Sequence, residues 1–235
     1  MMKVVKNDLF DYGLSIYQNQ EAFKFSLDSI LLAEFVERKN TTKMIVDFCT
    51  GNGAVPLILS TRMISKVIGF EVQKHPFELA YNSVKLNNLE KQIQIINANL
   101  NEVLEYILPE TIDAVTCNPP YFKYSNNLNI NSDEEKAIAR HEITTNLNDI
   151  IVSAKYILKN KGALYMVHRP ERFMEIVNLL QQYKFAIKKI QFVYSDFKKT
   201  AIMVLIKATK NGSDGVIINP PINIVNYKTY KNIFE

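Results

Sequence analysis

Short apolar runs rich in β-branched residues alternate with helical patterns along most of this chain. The apolar runs predict strands at residues 43–48, 66–71, 93–97, 112–117 and 163–168. Between them, the spacing of apolar positions predicts helices at residues 27–36, 54–62, 75–87, 100–107, 147–158 and 173–183. Buried strands that alternate with helices indicate an α/β fold, in which a parallel sheet is covered on both faces.

The pattern changes towards the end of the chain. Residues 186–194 and 201–206 are predicted strands that are separated by a short polar turn, which suits an antiparallel pair. Residues 217–225 contain Pro220 and Pro221, so we expect them at a sheet edge. Residues 1–22 predict an extended or hairpin lead-in. We therefore expect one domain spanning residues 1–235, with a mixed sheet.

Composition sets broad limits on function. Of 235 residues, 47% are hydrophobic and 22% are charged, as in ordinary globular proteins. We find no apolar run long enough to span a bilayer and no apolar signal core at the N-terminus, so we expect a cytoplasmic protein. The two cysteines and three histidines lack the spacing of a metal site, so no metal is expected. A net charge of +4 is compatible with a nucleic-acid partner.

A glycine turn follows the first predicted strand of the sheet. Asp47 lies at the end of that strand, and Gly51 and Gly53 follow, where backbone can approach a ligand closely. Glu71 ends the next strand, a position at which an acid accepts hydrogen bonds from ribose hydroxyls in nucleotide-binding folds. Asn99 follows the third strand, where it either reads an adenine edge or is a turn residue. Together these residues predict a nucleotide-like cofactor.

The sequence Asn118-Pro119-Pro120-Tyr121 ends the strand at 112–117. Two prolines stop the strand and make a rigid loop at its carboxyl end, where open α/β sheets bind ligands. The side-chain oxygen of Asn118 and the carbonyl of Pro119 can accept the two protons of a planar amine. The nitrogen lone pair would then leave conjugation and point at an electrophile, while the ring of Tyr121 stacks on the base.

The segment that follows this loop is polar. Residues 123–133 are rich in Asn and Ser and are interpreted as a mobile loop over the active site, or alternatively as a surface insertion. Basic residues near the predicted strand ends are candidates for phosphate contact, with Arg140 and Arg169 flanking those ends. The full set of candidate RNA-binding residues is Lys24, Arg140, His141, Arg169, Arg172, Lys198 and Lys199.

With these motifs in place, the chain resembles class I S-adenosylmethionine-dependent methyltransferases, whose Rossmann-like, seven-stranded sheet ends in a reversed strand. Within that class it is most similar to bacterial tRNA(Val) adenine N6-methyltransferases, which modify the adenine just 3′ of the anticodon. The resemblance rests on residues 47–53, Glu71 and residues 118–121, and extends to residues 25–32, 139–142 and 168–172. It departs from the family pattern in having Cys49 where a glycine is usual and Asn99 where an acid is usual.

The resemblance implies S-adenosylmethionine as cofactor and the anticodon loop of a valine tRNA as partner. It places the cofactor against Phe25, Asp28, Asp47, Cys49, Gly51, Gly53, Glu71, Val72, Asn99, Leu100 and Asn118.

Other acceptors remain open. The Asn-Pro-Pro-Tyr sequence also occurs in methyltransferases of release-factor glutamine, of DNA adenine and of ribosomal RNA guanine, although these usually carry further domains that we do not find here. A non-catalytic RNA-binding protein on the same fold is the alternative from another class.

Overall fold

The computed structural model describes residues 4–9, 12–19, 27–121 and 145–224. The predictions for Lys24, Phe25, residues 123–133, Arg140 and His141 lie outside these ranges. The described chain begins with an antiparallel hairpin of strands β1 (Val4–Leu9) and β2 (Leu14–Asn19). Its second strand is hydrogen-bonded to helix α3 (Lys74–Leu86): the Ser83 hydroxyl accepts from the Tyr17 N–H at 2.9 Å.

Seven long strands form the central sheet, in the order β8-β9-β7-β6-β3-β4-β5. All neighbours are parallel except at β9, which runs antiparallel to both β7 and β8. The predicted seven-stranded mixed sheet with an antiparallel pair is thereby confirmed. The strands are β3 (Met44–Phe48), β4 (Lys66–Phe70), β5 (Ile93–Ile96), β6 (Ile112–Cys117), β7 (Leu158–His168), β8 (Phe185–Tyr194) and β9 (Ala201–Lys210).

Two very short strands extend the sheet beyond β8. Strands β10 (Ile217–Ile218) and β11 (Ile222–Asn223) each pair with β8 in parallel. Pro220 and Pro221 separate them, because proline has no N–H to donate to a ladder. The predicted edge segment is confirmed for the part of it that the structure describes.

Helices cover both faces of the sheet. Alternate side chains of a strand point to opposite faces, and accordingly Ile45 lies in one apolar cluster and Val46 in the other. The first cluster is formed with helices α1 (Leu27–Phe35), α2 (Ala54–Arg62) and α3. The second is formed with α4 (Val103–Tyr106), α5 (Leu147–Ile157) and α6 (Phe173–Gln182). Short 3₁₀ turns at Leu100–Glu102 and Pro170–Arg172 precede α4 and α6.

Strand β7 begins earlier than the sequence pattern predicts. We expected it at residue 163, but it starts at Leu158, inside the predicted end of the preceding helix. The side chains of Lys159, Asn160 and Lys161 are polar and exposed, so this part of the strand has no apolar alternation. The pairing of β6 with β7 is also irregular between Ile112 and Ala114, which removes the regular ladder opposite these residues.

The topology brings the predicted site residues to one edge of the sheet. Strand β3 pairs with β4 on one side and with β6 on the other. The chain therefore adds β4 and β5 on one side of β3, and then β6 and β7 on the opposite side, so the strand order reverses between β3 and β6. Ligands bind at the carboxyl ends of strands at such a switch point. The loops that follow β3, β4, β6 and β7 meet there. None of the helices in the described ranges is long and apolar enough to cross a membrane.

Candidate active site

The glycine loop between β3 and α2 has an unusual backbone. Cys49, Gly51 and Gly53 all have positive φ, at 56°, 57° and 86°. A Cβ added at Gly53 would lie 3.1 Å from the Cβ of Ala80, a tight contact, so glycine suits both the positive φ and the close approach of α2 to α3. A Cβ added at Gly51 would meet no atom of the described residues within 4 Å, so open space adjoins the loop there. The loop can therefore present its backbone to a ligand at Gly51.

Asp47 lies beneath this loop. Its carboxylate is 1% exposed and accepts two hydroxyl hydrogen bonds, from Thr50 at 2.6 Å and from Thr116 at 2.5 Å. Burial raises the pKa of Asp47 to about 7, against the lowering effect of these two hydrogen bonds. Asp47 thus joins the glycine loop to strand β6 from below.

Glu71 links the ends of β3 and β4. One oxygen of its carboxylate accepts a hydrogen bond from the Gly51 N–H at 2.8 Å, and the other accepts from the Gln73 N–H at 2.9 Å. Burial raises the pKa of Glu71, while these backbone hydrogen bonds lower it. Asn97 fixes the next residues by donating to the carbonyl oxygen of Glu71 at 2.8 Å. Beside it the side chain of Val72 is 38% exposed, so an apolar surface lies next to the acid.

Asn52, also in this loop, was not among the site residues predicted from the sequence. Its side-chain nitrogen is buried and has no hydrogen-bond partner among the described residues. A buried donor without a partner is uncommon and calls for an acceptor. The position between two glycines was visible in the sequence, but Asn is common in turns, and nothing local distinguished it from one.

The predicted residues after β5 have two different environments. Asn99 caps the 3₁₀ turn, since its side-chain oxygen accepts from the Asn101 N–H at 3.0 Å. The structure therefore supports the turn role, and the position follows β5 at the carboxyl edge of the sheet. Leu100 is 4% exposed and its side chain belongs to the core cluster of α4, α5 and α6.

The Asn-Pro-Pro-Tyr loop after β6 is held by the first turn of α1. The Asn118 side-chain NH₂ donates to the Ser29 hydroxyl at 3.1 Å. The Tyr121 hydroxyl lies within hydrogen-bond distance of the carboxylate of Asp28 and, at 2.7 Å, of the Asn118 side-chain oxygen. Burial and the neighbouring Asp28 raise the pKa of Tyr121 well above its usual range, so the phenol keeps its proton.

Asp28, which the resemblance places against the cofactor, contacts the Asn-Pro-Pro-Tyr loop in this structure. Its carboxylate faces Tyr121 and the Ser29 N–H, which donates to it at 2.9 Å, at the start of α1. Ser29 itself was not predicted, because it is separated from Asn118 by 89 residues and leaves no local pattern.

His168 forms the next part of the site, at the end of β7. Its ring lies 5.2 Å from the ring of Tyr121, centroid to centroid. Burial, together with the positive charge of Arg172, lowers the pKa of His168 to about 4, so the imidazole is neutral. Its Nδ1 accepts from the Arg169 N–H at 2.8 Å, so the proton is on Nε2, which is buried without a partner in the described part of the chain.

The candidate RNA-binding residues that the structure describes differ in exposure and in how tightly they pair with carboxylates. The Arg172 guanidinium donates two hydrogen bonds to Glu175, both at 2.9 Å, and its side chain is 12% exposed. Arg169 pairs more loosely with Glu171, at 3.4 Å, and its side chain is 42% exposed. Lys198 and Lys199 are exposed in the turn between β8 and β9. That turn lies at the carboxyl edge, because β8 runs in the same direction as β7.

Comparisons with known proteins agree with this geometry. Residues 24–195 match the model of the methyltransferase small domain family. A tRNA1(Val) (adenine(37)-N6)-methyltransferase of Flavobacterium psychrophilum is 23% identical over 208 residues, which cover 87% of each chain. The enzyme of that name from Porphyromonas gingivalis is 26% identical over 72% of this chain and 68% of its own.

Solved structures show the same fold. A protein of Agrobacterium tumefaciens, described as a predicted O-methyltransferase, superposes with a TM-score of 0.67 at 21% identity, over 84% of this chain and 88% of its own. Geranyl diphosphate C-methyltransferase of Streptomyces coelicolor, solved with S-adenosyl-L-homocysteine, gives a TM-score of 0.58 at 11% identity, over 77% and 74%. With its sheet order, its glycine loop and a family match over most of its length, the chain belongs to the methyltransferase small domain family.

Proposed function

We propose that this protein transfers a methyl group from S-adenosylmethionine to the exocyclic N6 amine of an adenine in tRNA, next to the anticodon of tRNA(Val). The observation that carries the proposal is the placement of Asn118 at the carboxyl end of β6. There the loop that carries Asn118 and Pro119 lies across the switch point from the glycine loop. The names of the relatives support tRNA adenine as the acceptor.

The residues around the glycine loop fit the cofactor. Open space beside Gly51 lets a ligand approach the backbone, and the unpartnered NH₂ of Asn52 can donate to a carboxylate such as that of a methionine moiety. The carboxylate of Glu71 retains lone pairs that can accept from ribose hydroxyls. Val72 and Asn99 would border the adenine ring, and Asp47 would hold the loop from below. When bound, S-adenosylmethionine supplies an activated methyl group on a sulfonium.

The acceptor side works by positioning. The amide oxygen of Asn118 and the carbonyl oxygen of Pro119 accept the two N–H groups of the target amine, so its lone pair is directed at the methyl group. The aromatic ring of Tyr121 packs on the base. The amine nitrogen forms a bond to carbon as the carbon–sulfur bond breaks, and the proton that the nitrogen then loses passes to water. The base must be unstacked for this, as bases in an anticodon loop can be.

The RNA itself would lie along the carboxyl edge of the sheet. Lys198, Lys199 and Arg169 are exposed there, and they can contact phosphates. Phe197 is 56% exposed in the same turn and offers a ring on which an unpaired base can stack. The bidentate pair with Glu175 favours a structural role for Arg172. Such an enzyme acts where tRNA is, in the cytoplasm.

The proposal is tested by incubating the protein with labelled S-adenosylmethionine and bulk tRNA from a strain that lacks it, followed by nucleoside mass spectrometry. N6-methyladenosine in a valine tRNA is the expected product. Label in ribosomal RNA, DNA or protein glutamine would refute the tRNA assignment and keep the methyltransferase. Absence of label in every pool, from protein that binds the cofactor, would refute the activity.

The role of Asn118 is tested with Asn118→Ala. We expect loss of methylation with cofactor affinity by calorimetry nearly unchanged, because Asn118 contacts the acceptor amine. Asn160→Ala is the matched control, since Asn160 is an exposed Asn near the opposite end of the sheet. Methylation by Asn118→Ala at the rate of the control would contradict the assignment.

A further inference from the structure

Two consecutive residues of α1 hold the side chains of Asn118 and Tyr121 in the Asn-Pro-Pro-Tyr loop. Ser29 accepts a hydrogen bond from the NH₂ of Asn118 at 3.1 Å, and the carboxylate of Asp28 accepts from the Tyr121 hydroxyl. We propose that Ser29 is a positioning residue, which fixes the orientation of the Asn118 amide so that its oxygen faces the amine to be methylated. This inference rests on the proposed function only in requiring that Asn118 accepts from a target amine.

The orientation matters because the two ends of a carboxamide have opposite hydrogen-bonding character. The oxygen accepts and the NH₂ donates, and a half-turn about the Cβ–Cγ bond exchanges them. A flipped Asn118 would present its NH₂ to the N–H groups of the target amine, so donor would face donor and the lone pair would not be drawn out of the ring. The observed orientation is held from both ends, because the Ser29 hydroxyl accepts from the NH₂ and the Tyr121 hydroxyl donates to the oxygen.

The other end of the amide must be released when the target arrives. In the structure the Asn118 oxygen lies 2.7 Å from the Tyr121 hydroxyl. That hydroxyl has one proton and two acceptors, since the carboxylate of Asp28 is also within hydrogen-bond distance. The proton can therefore go to Asp28, and the Asn118 oxygen becomes free for the amine without leaving the phenol unsatisfied. Tyr121 keeps its place meanwhile, packed against the ring of His168 at 5.2 Å.

The sequence around Asn118 explains why its amide depends on a residue from elsewhere in the fold. Asn118 directly precedes two prolines, which provide no N–H groups to orient it. Ser29 is well suited to the task, because it lies in the first turn of a helix that packs into the core through Leu31 and Leu32, both 0% exposed. Its hydroxyl is therefore fixed in space relative to the sheet.

The first test compares Ser29→Ala with wild type on the same acceptor RNA. We expect kcat to fall about tenfold, the size of one lost hydrogen bond near 1.4 kcal/mol, with the KM for S-adenosylmethionine unchanged. Ser29→Thr keeps the hydroxyl and should restore kcat. Ser60→Ala is the matched control, because the Ser60 hydroxyl donates to the carbonyl of Leu57 in its own helix, at 2.7 Å. Active sites are counted by cofactor binding, so partial unfolding does not imitate a lower kcat.

The second test asks whether Ser29 orients the Asn118 amide or only stabilises the loop around it. Aspartate presents an oxygen at both ends, so Asn118→Asp has no wrong orientation to adopt. When Ser29→Ala is added to the Asn118→Asp variant, it should therefore change kcat less than twofold. The same tenfold loss in both backgrounds would overturn the proposal and make Ser29 only a structural residue.

The remaining outcomes are also decisive. If Asn118→Asp is too slow to measure, Ser29→Thr decides, and a Thr variant as slow as Ser29→Ala overturns the proposal. If wild type methylates no amine at all, the proposed function fails and this inference fails with it. If wild type is active and Ser29→Ala is equally active, the inference alone fails.

Discussion

The buried carboxyl group of Asp47 predicts an unusual dependence of stability on pH. We consider Asp47→Asn, which keeps the shape of the side chain and removes its charge. The amide oxygen can still accept from one of the hydroxyls of Thr50 and Thr116, and its NH₂ can donate to the other, because a hydroxyl both donates and accepts. The substitution therefore isolates ionisation from hydrogen bonding.

The magnitude follows from the pKa. Burial raises the pKa of Asp47 from 3.8 to about 7, so between these values the folded protein binds a proton that the unfolded chain has released. Stability therefore falls as pH rises through this window and is constant above it. At about 1.4 kcal/mol per pH unit, wild type should lose about 3 kcal/mol between pH 5 and pH 8 through this group. Asp47→Asn should lose none of it.

The assay is urea unfolding of both proteins at pH 5, 6, 7 and 8. The free energy of unfolding of Asp47→Asn minus that of wild type should grow by about 3 kcal/mol across this range. Groups that do not interact with Asp47 cancel in this difference. Glu71 does not cancel fully, because its charge contributes to raising the pKa of Asp47.

Asp113→Asn is the control. Partial burial acts to raise the pKa of Asp113, but hydrogen bonds from Lys159 and from the Lys43 and Met44 N–H groups outweigh it, and the pKa is lowered. Asp113 is then ionised in both states throughout this range, so its difference from wild type should be flat. A flat difference for Asp47→Asn as well would show that Asp47 ionises normally and would refute the reasoning.

Two further predictions follow from the loops at the carboxyl edge. Cys49 has a φ of 56°, a backbone conformation that is strained for any residue except glycine. The free energy of unfolding of Cys49→Gly should therefore be about 1 kcal/mol higher than that of Cys49→Ala. Equal urea midpoints for the two variants would contradict this. Lys198→Glu with Lys199→Glu should weaken tRNA binding and reduce its salt slope by roughly 1.4, at about 0.7 for each phosphate contact. Lys91→Glu, at the opposite edge, is the control, and an unchanged slope would exclude both lysines as phosphate contacts.

The sheet and the glycine loop could be predicted because their signals are local. A buried strand, a turn and a helix occupy neighbouring residues, so Asp47, Gly51 and Glu71 reveal their places by spacing alone. Side chains that are paired across the fold could not be found in this way. Ser29 has the ordinary appearance of a residue in a first helical turn, and only the docking of α1 brings it to Asn118.

Backbone conformation in loops and the pKa shifts caused by burial could also not be predicted from the sequence. A cysteine in place of a glycine marked Cys49 as a departure, but its positive φ depends on the whole loop. His168 was visible at a strand end, yet its neutral state arises from burial under neighbouring elements. The early start of β7 was hidden because the residues after Leu158 have polar side chains that stay in water and show no apolar alternation.

The position of β9 has a consequence for how this chain can be divided. The family match ends at residue 195, but β9, which starts at Ala201, lies between β7 and β8 in the sheet. A fragment that stops at the end of the match would lose the partner of both strands and expose the edge of β7, with the apolar side chains of Met166 and Val167 beside it. The unpaired N–H and C=O groups of such an edge can hydrogen-bond to a strand of another chain, which promotes aggregation. The last long strand therefore completes the domain, and the smallest piece that we expect to fold extends at least to Lys210.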